Sequence, residues 1–304
     1  MSLLAPGIYL ESTTAGGGFR HLYMVLKDGS ADPHNWKVIR GDFGLKLGVT
    51  AFLTTDHRSI EDSLDKYDLN GSLLGPESVS DARRAADITG KLGGIGAWND
   101  LVSYALRLNE VYPYELPFGG EDHVANSNAL ILTLLNRYGV DIRTIGTLDF
   151  GDFPGAKGVD DKAATLLGAG TDPAITASPN LETGLSILGR DDVDDIITGT
   201  GFDDRLFGKE GDDILDGGAG NDVFKGGPGA DIFIVGEGAG SVDVFLGGSD
   251  EDRRDDRIVF RASLIDVAAA GRQGEHRNVQ NGGINIYAKI TAKQSPINAQ
   301  ILPR

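Results

Sequence analysis

Residues 190–234, RDDVDDIITGTGFDDRLFGKEGDDILDGGAGNDVFKGGPGADIFI, place an aspartate at every ninth position: Asp195, Asp204, Asp213, Asp222 and Asp231. The second residue after each is apolar, namely Ile197, Leu206, Leu215, Phe224 and Phe233. Two features locked to one nine-residue period mark a stack of short structural repeats. A flexible linker of the same glycine-rich, acidic composition has no reason to hold an apolar residue in phase through five units. Each unit divides into a tight turn, where glycine supplies positive φ, and a short strand that carries the apolar side chain. Two units complete one coil of a parallel β-roll, so alternate units share a flank. Asp195, Asp213 and Asp231 line one flank and Asp204 and Asp222 the other.

Neighbouring coils lie about 4.8 Å apart, so carboxylates stacked at that interval repel one another unless a cation lies between them. Calcium suits the position. It is a hard ion that accepts six or more oxygens, here from the five aspartates and from backbone carbonyls exposed by the turn glycines. Those glycines are Gly208, Gly211, Gly217, Gly218, Gly220, Gly226, Gly227 and Gly229. The inward-pointing apolar residues form only a thin core. Order in the roll is therefore expected to depend on metal, because binding energy at a site absent from the unfolded chain is folding energy.

The last two units, GGAGNDVFK (217–225) and GGPGADIFI (226–234), match the pattern G-G-x-G-x-D-x-U-x. The segment 190–260 resembles the RTX, or haemolysin-type, calcium-binding repeats. That resemblance implies a bacterial protein exported by type I secretion, with the exporter as a partner and an uncleaved C-terminal signal. A roll that stays unfolded where calcium is scarce is suited to threading an exporter and folding outside. The early units depart from the pattern. Arg190 to Thr198 contains no glycine, and Phe202 stands where the third motif glycine belongs. The fifth position is acidic in Asp194, Asp203 and Asp212, then becomes Asn221 and Ala230. The best-formed sites are expected around Asp213, Asp222 and Asp231.

The 304 residues suffice for two domains. A formal charge of -17 and a pI near 4.6 argue against a nucleic-acid partner. Cysteine is absent, so an extracellular chain must hold itself together without disulfides. No apolar run reaches the length of a transmembrane segment, and the start, MSLLAPGIYLEST, lacks the basic and apolar regions of a cleavable signal peptide. The expected organisation is an α+β domain over 1–148, a linker over 149–186, the roll with capping strands over 187–260, and a tail over 261–304 that holds the export signal.

In the first domain, Leu22–Lys27 and Trp36–Arg40 read as a hairpin. Residues 81–87 and 98–111 read as helices, and Asn126 as the N-cap of a third over Ser127–Tyr138, closed by Gly139. Ile131, Leu134, Leu135 and Tyr138 fall on one face of it. A nucleophile at a helix N-terminus gains from the dipole and the unpaired N–H groups. A simple hairpin register brings Arg40 or Asp42 close to His21, where Asp42 orients the imidazole. This order of a strand histidine before a helix-opening nucleophile resembles the circularly permuted papain-like hydrolases related to NlpC/P60. The resemblance implies Ser127 as nucleophile, His21 as base and Asp42 as third member, acting on amide or ester bonds. The chain departs from that family in having serine for cysteine, a weaker nucleophile at neutral pH. His34, His57 and His123 offer other pairings.

The competing reading is that Asn126 and Ser127 only cap a helix, in a non-catalytic calcium-dependent binding or surface-associated protein. KYDLNGSLLGPE (66–77) has an EF-hand-like spacing, but Lys66 replaces the first ligand aspartate and Pro76 obstructs the exit helix. It reads as a turn. So do the glycines at 16–18 and 93–96, which lack phosphate-loop spacing.

Overall fold

A computed structural model describes residues 5–14, 20–29, 36–46, 50–56, 85–114, 123–145, 164–166, 174–176, 181–235, 242–246, 256–260, 277–281, 284–288 and 298–301. The chain divides into two units, Met1–Ala164 and Thr165–Arg304.

In the first unit, β1 (Gly7–Thr14), β2 (Arg20–Lys27) and β3 (Lys37–Lys46) form a sheet whose successive side chains alternate between faces, and residues 8–11 and 22–25, with Val38 and Ile39, are buried on both. With β4 (Thr50–Asp56) and β5 (Ala85–Asp87) the antiparallel order is β4-β3-β2-β1-β5. The expected hairpin is present as β2 and β3, with Tyr23 opposite Arg40 and Val25 opposite Val38. Ile8, Leu10, Leu22, Met24 and Ile39 are fully enclosed. Tyr23, Val25, Trp36 and Val38 cluster with one another. Beside them lies a buried ion pair, Lys27 Nζ to Glu11 Oε1 at 2.7 Å, with the ammonium 4.3 Å from the Tyr9 ring centre and 4.5 Å from that of Trp36. Desolvation pushes the Glu11 carboxyl up, and the charge of Lys27 opposes that shift.

Helix α1 (Trp98–Arg107) buries Trp98, Leu101, Tyr104 and Ala105, and it stops short of Val111. Its C-cap Leu108 bonds back to Ala105, and Glu110 takes a φ of 59°, which ends the helical path. Helix α2 (Ser127–Arg137) starts as expected: the Asn126 side chain accepts from Asn128 N and Ala129 N. Gly139, at φ 67°, follows its end. Ile131, Leu134 and Leu135 are buried, and α2 packs on β2 and β3.

The expected helix over 81–87 is corrected. Ala85–Asp87 is a strand on β1, with Tyr9 opposite Asp87. Thr89 N donates to Asp87 Oδ1 at 2.9 Å, and Ile8 N donates to Thr89 Oγ1 at 2.8 Å. Pairing with an open sheet edge outweighs the helix preference of Ala85 and Ala86 here. Residues 57–84, which include the EF-hand-like turn and His57, lie outside the described residues, as do His34 and Gly16–Gly18.

The second unit is a parallel β-roll of two sheets. One contains β6 (Thr165–Leu166), β8 (Ser186–Leu188), β10 (Arg205–Phe207), β12 (Val223–Lys225) and β14 (Val242–Leu246). The other contains β7 (Ala174–Thr176), β9 (Ile196–Thr198), β11 (Ile214–Asp216), β13 (Ile232–Val235) and β15 (Arg257–Phe260). The registers pair residues 18 apart, Leu206 with Phe224 and Leu215 with Phe233. Ile187, Leu206 and Phe224, with Ile197, Leu215 and Phe233, form the thin core. The Phe224 and Phe233 rings meet edge to face, 5.9 Å between centres.

The sheets pass both boundaries read from the sequence. β6 and β7 come from the segment read as a linker. From the segment read as a tail, β17 (Ile284–Ala288) runs parallel to β14 and β18 (Asn298–Ile301) parallel to β15. β14 and β15 thus continue the stack instead of capping it, and β16 (Arg277–Asn281) pairs antiparallel with β17 at the sheet edge.

Candidate metal centre

Each repeat aspartate sits between its own turn and the preceding coil. Asp195 N donates to Asp213 Oδ1 at 2.8 Å, Asp204 N to Asp222 Oδ1 at 2.9 Å and Asp213 N to Asp231 Oδ1 at 3.1 Å. The spacing brings Asp195, Asp213 and Asp231 into one ladder and Asp204 and Asp222 into the other. The first ladder continues into Asp256, whose Oδ1 accepts from Asp231 N at 3.0 Å. Sequence reading missed Asp256 because it follows Asp231 by 25 residues instead of 18. Its own apolar partner, Ile258, was the available signal.

All these carboxylates are buried, Asp213 and Asp231 completely. The Oδ2 atoms of Asp213 and Asp231 have no hydrogen-bond partner among the described residues. Such an orphaned, charged oxygen is costly unless something positive meets it. Desolvation pushes Asp204 up to about 6, Asp213 to about 7 and Asp231 to about 8. Backbone donors oppose the rise in each. At Asp213 and Asp231 neighbouring carboxylates add to it: Asp195 beside Asp213, and Asp213 and Asp256 beside Asp231.

The turns bring further oxygens close. A Cβ on Gly218, Gly220, Gly227 or Gly229 would strike the carbonyl oxygen of Thr200, Phe202, Lys209 or Gly211, one coil earlier. A Cβ on Gly208, Gly217 or Gly226 would strike Oδ2 of Asp213, Asp222 or Asp231. Gly211, Gly220 and Gly229 also share a φ near 133° (133°, 133° and 134°), which L side chains resist. The donor set is thus hard oxygen throughout, which is calcium chemistry. Among the described residues no group of three or more acidic or histidine side chains converges, so carboxylates alone cannot complete a coordination shell.

The first two units differ. Arg190 donates to Asp195 Oδ1 from Nε at 2.9 Å and from Nη2 at 2.5 Å, while its backbone N donates to Oδ2 at 2.6 Å. Burial pushes the Asp195 carboxyl up, and Arg190 pulls against that. Asp204 accepts from Thr200 N at 2.6 Å, from the Thr200 hydroxyl at 3.0 Å and from Leu185 N at 2.6 Å. The fifth-position carboxylates form a separate, exposed ladder: Asp212 N donates to Asp194 Oδ1 at 2.8 Å and Ala230 N to Asp212 Oδ1 at 2.8 Å.

In the first unit, Ser127 and His123 are buried at the start of α2. Tyr114 Oη donates to Ser127 Oγ at 3.4 Å. Asn128 Oδ1 accepts from Leu22 N at 2.9 Å, which fastens the helix start to the residue following His21. His21 faces Thr13 in β1, and Asp42 faces Thr54 in β4. Both lie two residues beyond the Tyr23–Arg40 pair of the hairpin. Their side chains lie outside the described residues.

The family model of the RTX calcium-binding nonapeptide repeat (4 copies) matches residues 191–224, 198–233 and 207–242. The chain therefore carries RTX calcium-binding repeats on the coils just described. It matches no curated protein and no solved structure.

Proposed function

We propose that this RTX-repeat protein is exported by a type I system and that its roll folds on calcium outside the cell. The observation that carries the reading is the pair of fully buried carboxylates, Asp213 and Asp231, each with one oxygen left without a donor. Asp213 and Asp231 on one flank and Asp222 on the other, with the turn carbonyls of Thr200, Phe202, Lys209 and Gly211, would hold the ions. Bound there, calcium supplies positive charge between stacked carboxylates. The chain's own residues do the rest: turn glycines let carbonyls approach closely, backbone amides fix one oxygen of each aspartate, and the apolar ladder excludes water. No described helix is long and apolar enough to cross a membrane.

Calcium titration followed by circular dichroism, then chelator, tests this reading. The full chain gains β signal with calcium and loses it on chelation, whereas a chain ending at Ala164 responds to neither. A C-terminal half that stays compact and protease-resistant in excess EGTA refutes it.

A second reading concerns the first unit, favoured by the Asn128–Leu22 bond that sets Ser127 beside the strand carrying His21. It is a hydrolase of amide or ester bonds, with Ser127 as nucleophile, His21 as base and Asp42 orienting it. A serine-directed phosphonylating probe then labels the wild type but neither Ser127→Ala nor His21→Ala. An unlabelled wild type favours a non-catalytic binding module.

A further inference from the structure

We propose that Arg190 is a resident cation that occupies the first metal position of the roll, so that Asp195 takes no calcium; this rests on the calcium reading above. At the first position of later units stand Gly208, Gly217 and Gly226, each pressed so closely against Oδ2 of its own unit's aspartate that a Cβ would collide. Only in the unit 190–198 does that position carry a long side chain, and it turns back onto its own aspartate. Arg190 and Asp195 are both buried, and the one residue satisfies both carboxylate oxygens through three donors. The corresponding Oδ2 atoms of Asp213 and Asp231 have none. Where Asp213 and Asp231 each keep an oxygen without a donor among the described residues, Asp195 has a guanidinium, which remains charged at any pH a protein meets.

The missing glycine is therefore a substitution of function and not decay of the motif. Arg190 gives the roll one metal-independent end. Asp195 N still donates to Asp213 Oδ1, so the coil that Arg190 locks also presents the amide on which the next site is built. Calcium-driven order is templated from residues 190–198 toward the later coils.

Isothermal titration calorimetry of the full chain, counting calcium bound at saturation, tests the assignment. Asp195→Asn is expected to bind as many ions as the wild type, while Asp213→Asn and Asp231→Asn each bind fewer. Arg190→Gly, which removes the charge and restores the residue found at this position in the later units, is expected to bind one more. Loss of an ion in Asp195→Asn, or no gain in Arg190→Gly, overturns the proposal. If Asp213→Asn and Asp231→Asn also bind like the wild type, the calcium reading itself falls, and the role of Arg190 with it. A measurement on the unaltered protein guards against misfolded variants. In excess chelator, amides of 184–198 should exchange about tenfold more slowly than those of 211–234. Equal exchange in the two segments refutes a metal-independent end.

Discussion

Gly227 and Gly201 show how little composition says about what a glycine does. Gly227 has a φ of 126°, and a Cβ there would run into the Lys209 carbonyl, whereas nothing lies within 4 Å of a Cβ on Gly201. Gly227→Ala should cost at least about 2 kcal/mol from the left-handed backbone and the collision together. Gly201→Ala should stay within about 0.5 kcal/mol of the wild type. The calcium concentration at the midpoint of the circular dichroism titration checks both; equal midpoints for the two variants would refute the stacking described. Asp213 makes a different demand. In Asp213→Asn the side-chain carbonyl can still accept from Asp195 N, but that position no longer carries a buried charge to be neutralised. At pH 8 in EGTA the variant roll should therefore be more stable than the wild type, by about 1–3 kcal/mol, while responding less to added calcium. The β signal that survives in chelator reads the difference, and a variant that keeps less of it than the wild type would contradict the proposed cost of the Asp213 charge.

At the scale of elements, helix α2 was legible because its start is written locally. Asn126 stands before the apolar face, and in the structure its side chain accepts from two of the amides that every helix start leaves unpaired. Asn126→Ala should lower the stability of the first unit by about 1 kcal/mol, seen as a lower thermal midpoint, while leaving the calcium titration of the roll unchanged. The phase of the roll was legible for the same reason, since Leu206 and Phe224 repeat within a short window of sequence. Strand β5 was not, because what makes Ala85–Asp87 a strand is the edge of β1, far away along the chain. Strands β14 to β18 extend a stack whose period fails after Ile234, so only their alternation hinted at them. In the roll, the two ladders formed by the five repeat aspartates could be read from spacing alone. Arg190 could not, since an arginine in a glycine position reads as a broken motif until its guanidinium is seen on Asp195. Asp256 was hidden by the longer excursion that separates it from Asp231.

For the molecule as a whole, the excess of 45 acidic over 28 basic residues makes metal-free folding sensitive to pH. The sign follows from the buried ladder. Asp204, Asp213 and Asp231 have folded-state values raised to about 6, about 7 and about 8, against an unfolded aspartate near 3.9. Above the unfolded value and below the folded ones, the folded roll holds protons that the unfolded chain has released. Protonation therefore stabilises the metal-free fold fully only below about pH 4, and that contribution is lost as pH rises through the folded values of about 6 to about 8. Each such group contributes about 1.4 kcal/mol per pH unit across its window. In chelator, lowering the pH from 8 to 5.5 should restore β signal to the roll without metal. Protons then do, less completely, what calcium does at neutral pH. The two must compete for the same carboxylates, so calcium should bind more weakly at pH 5.5 than at pH 8 and should release protons as it binds. A pH-stat titration measures that release directly. Calcium uptake at pH 7 without proton release, together with a metal-free roll that loses order on acidification, would mean that the buried carboxylates are not what holds the apo roll open.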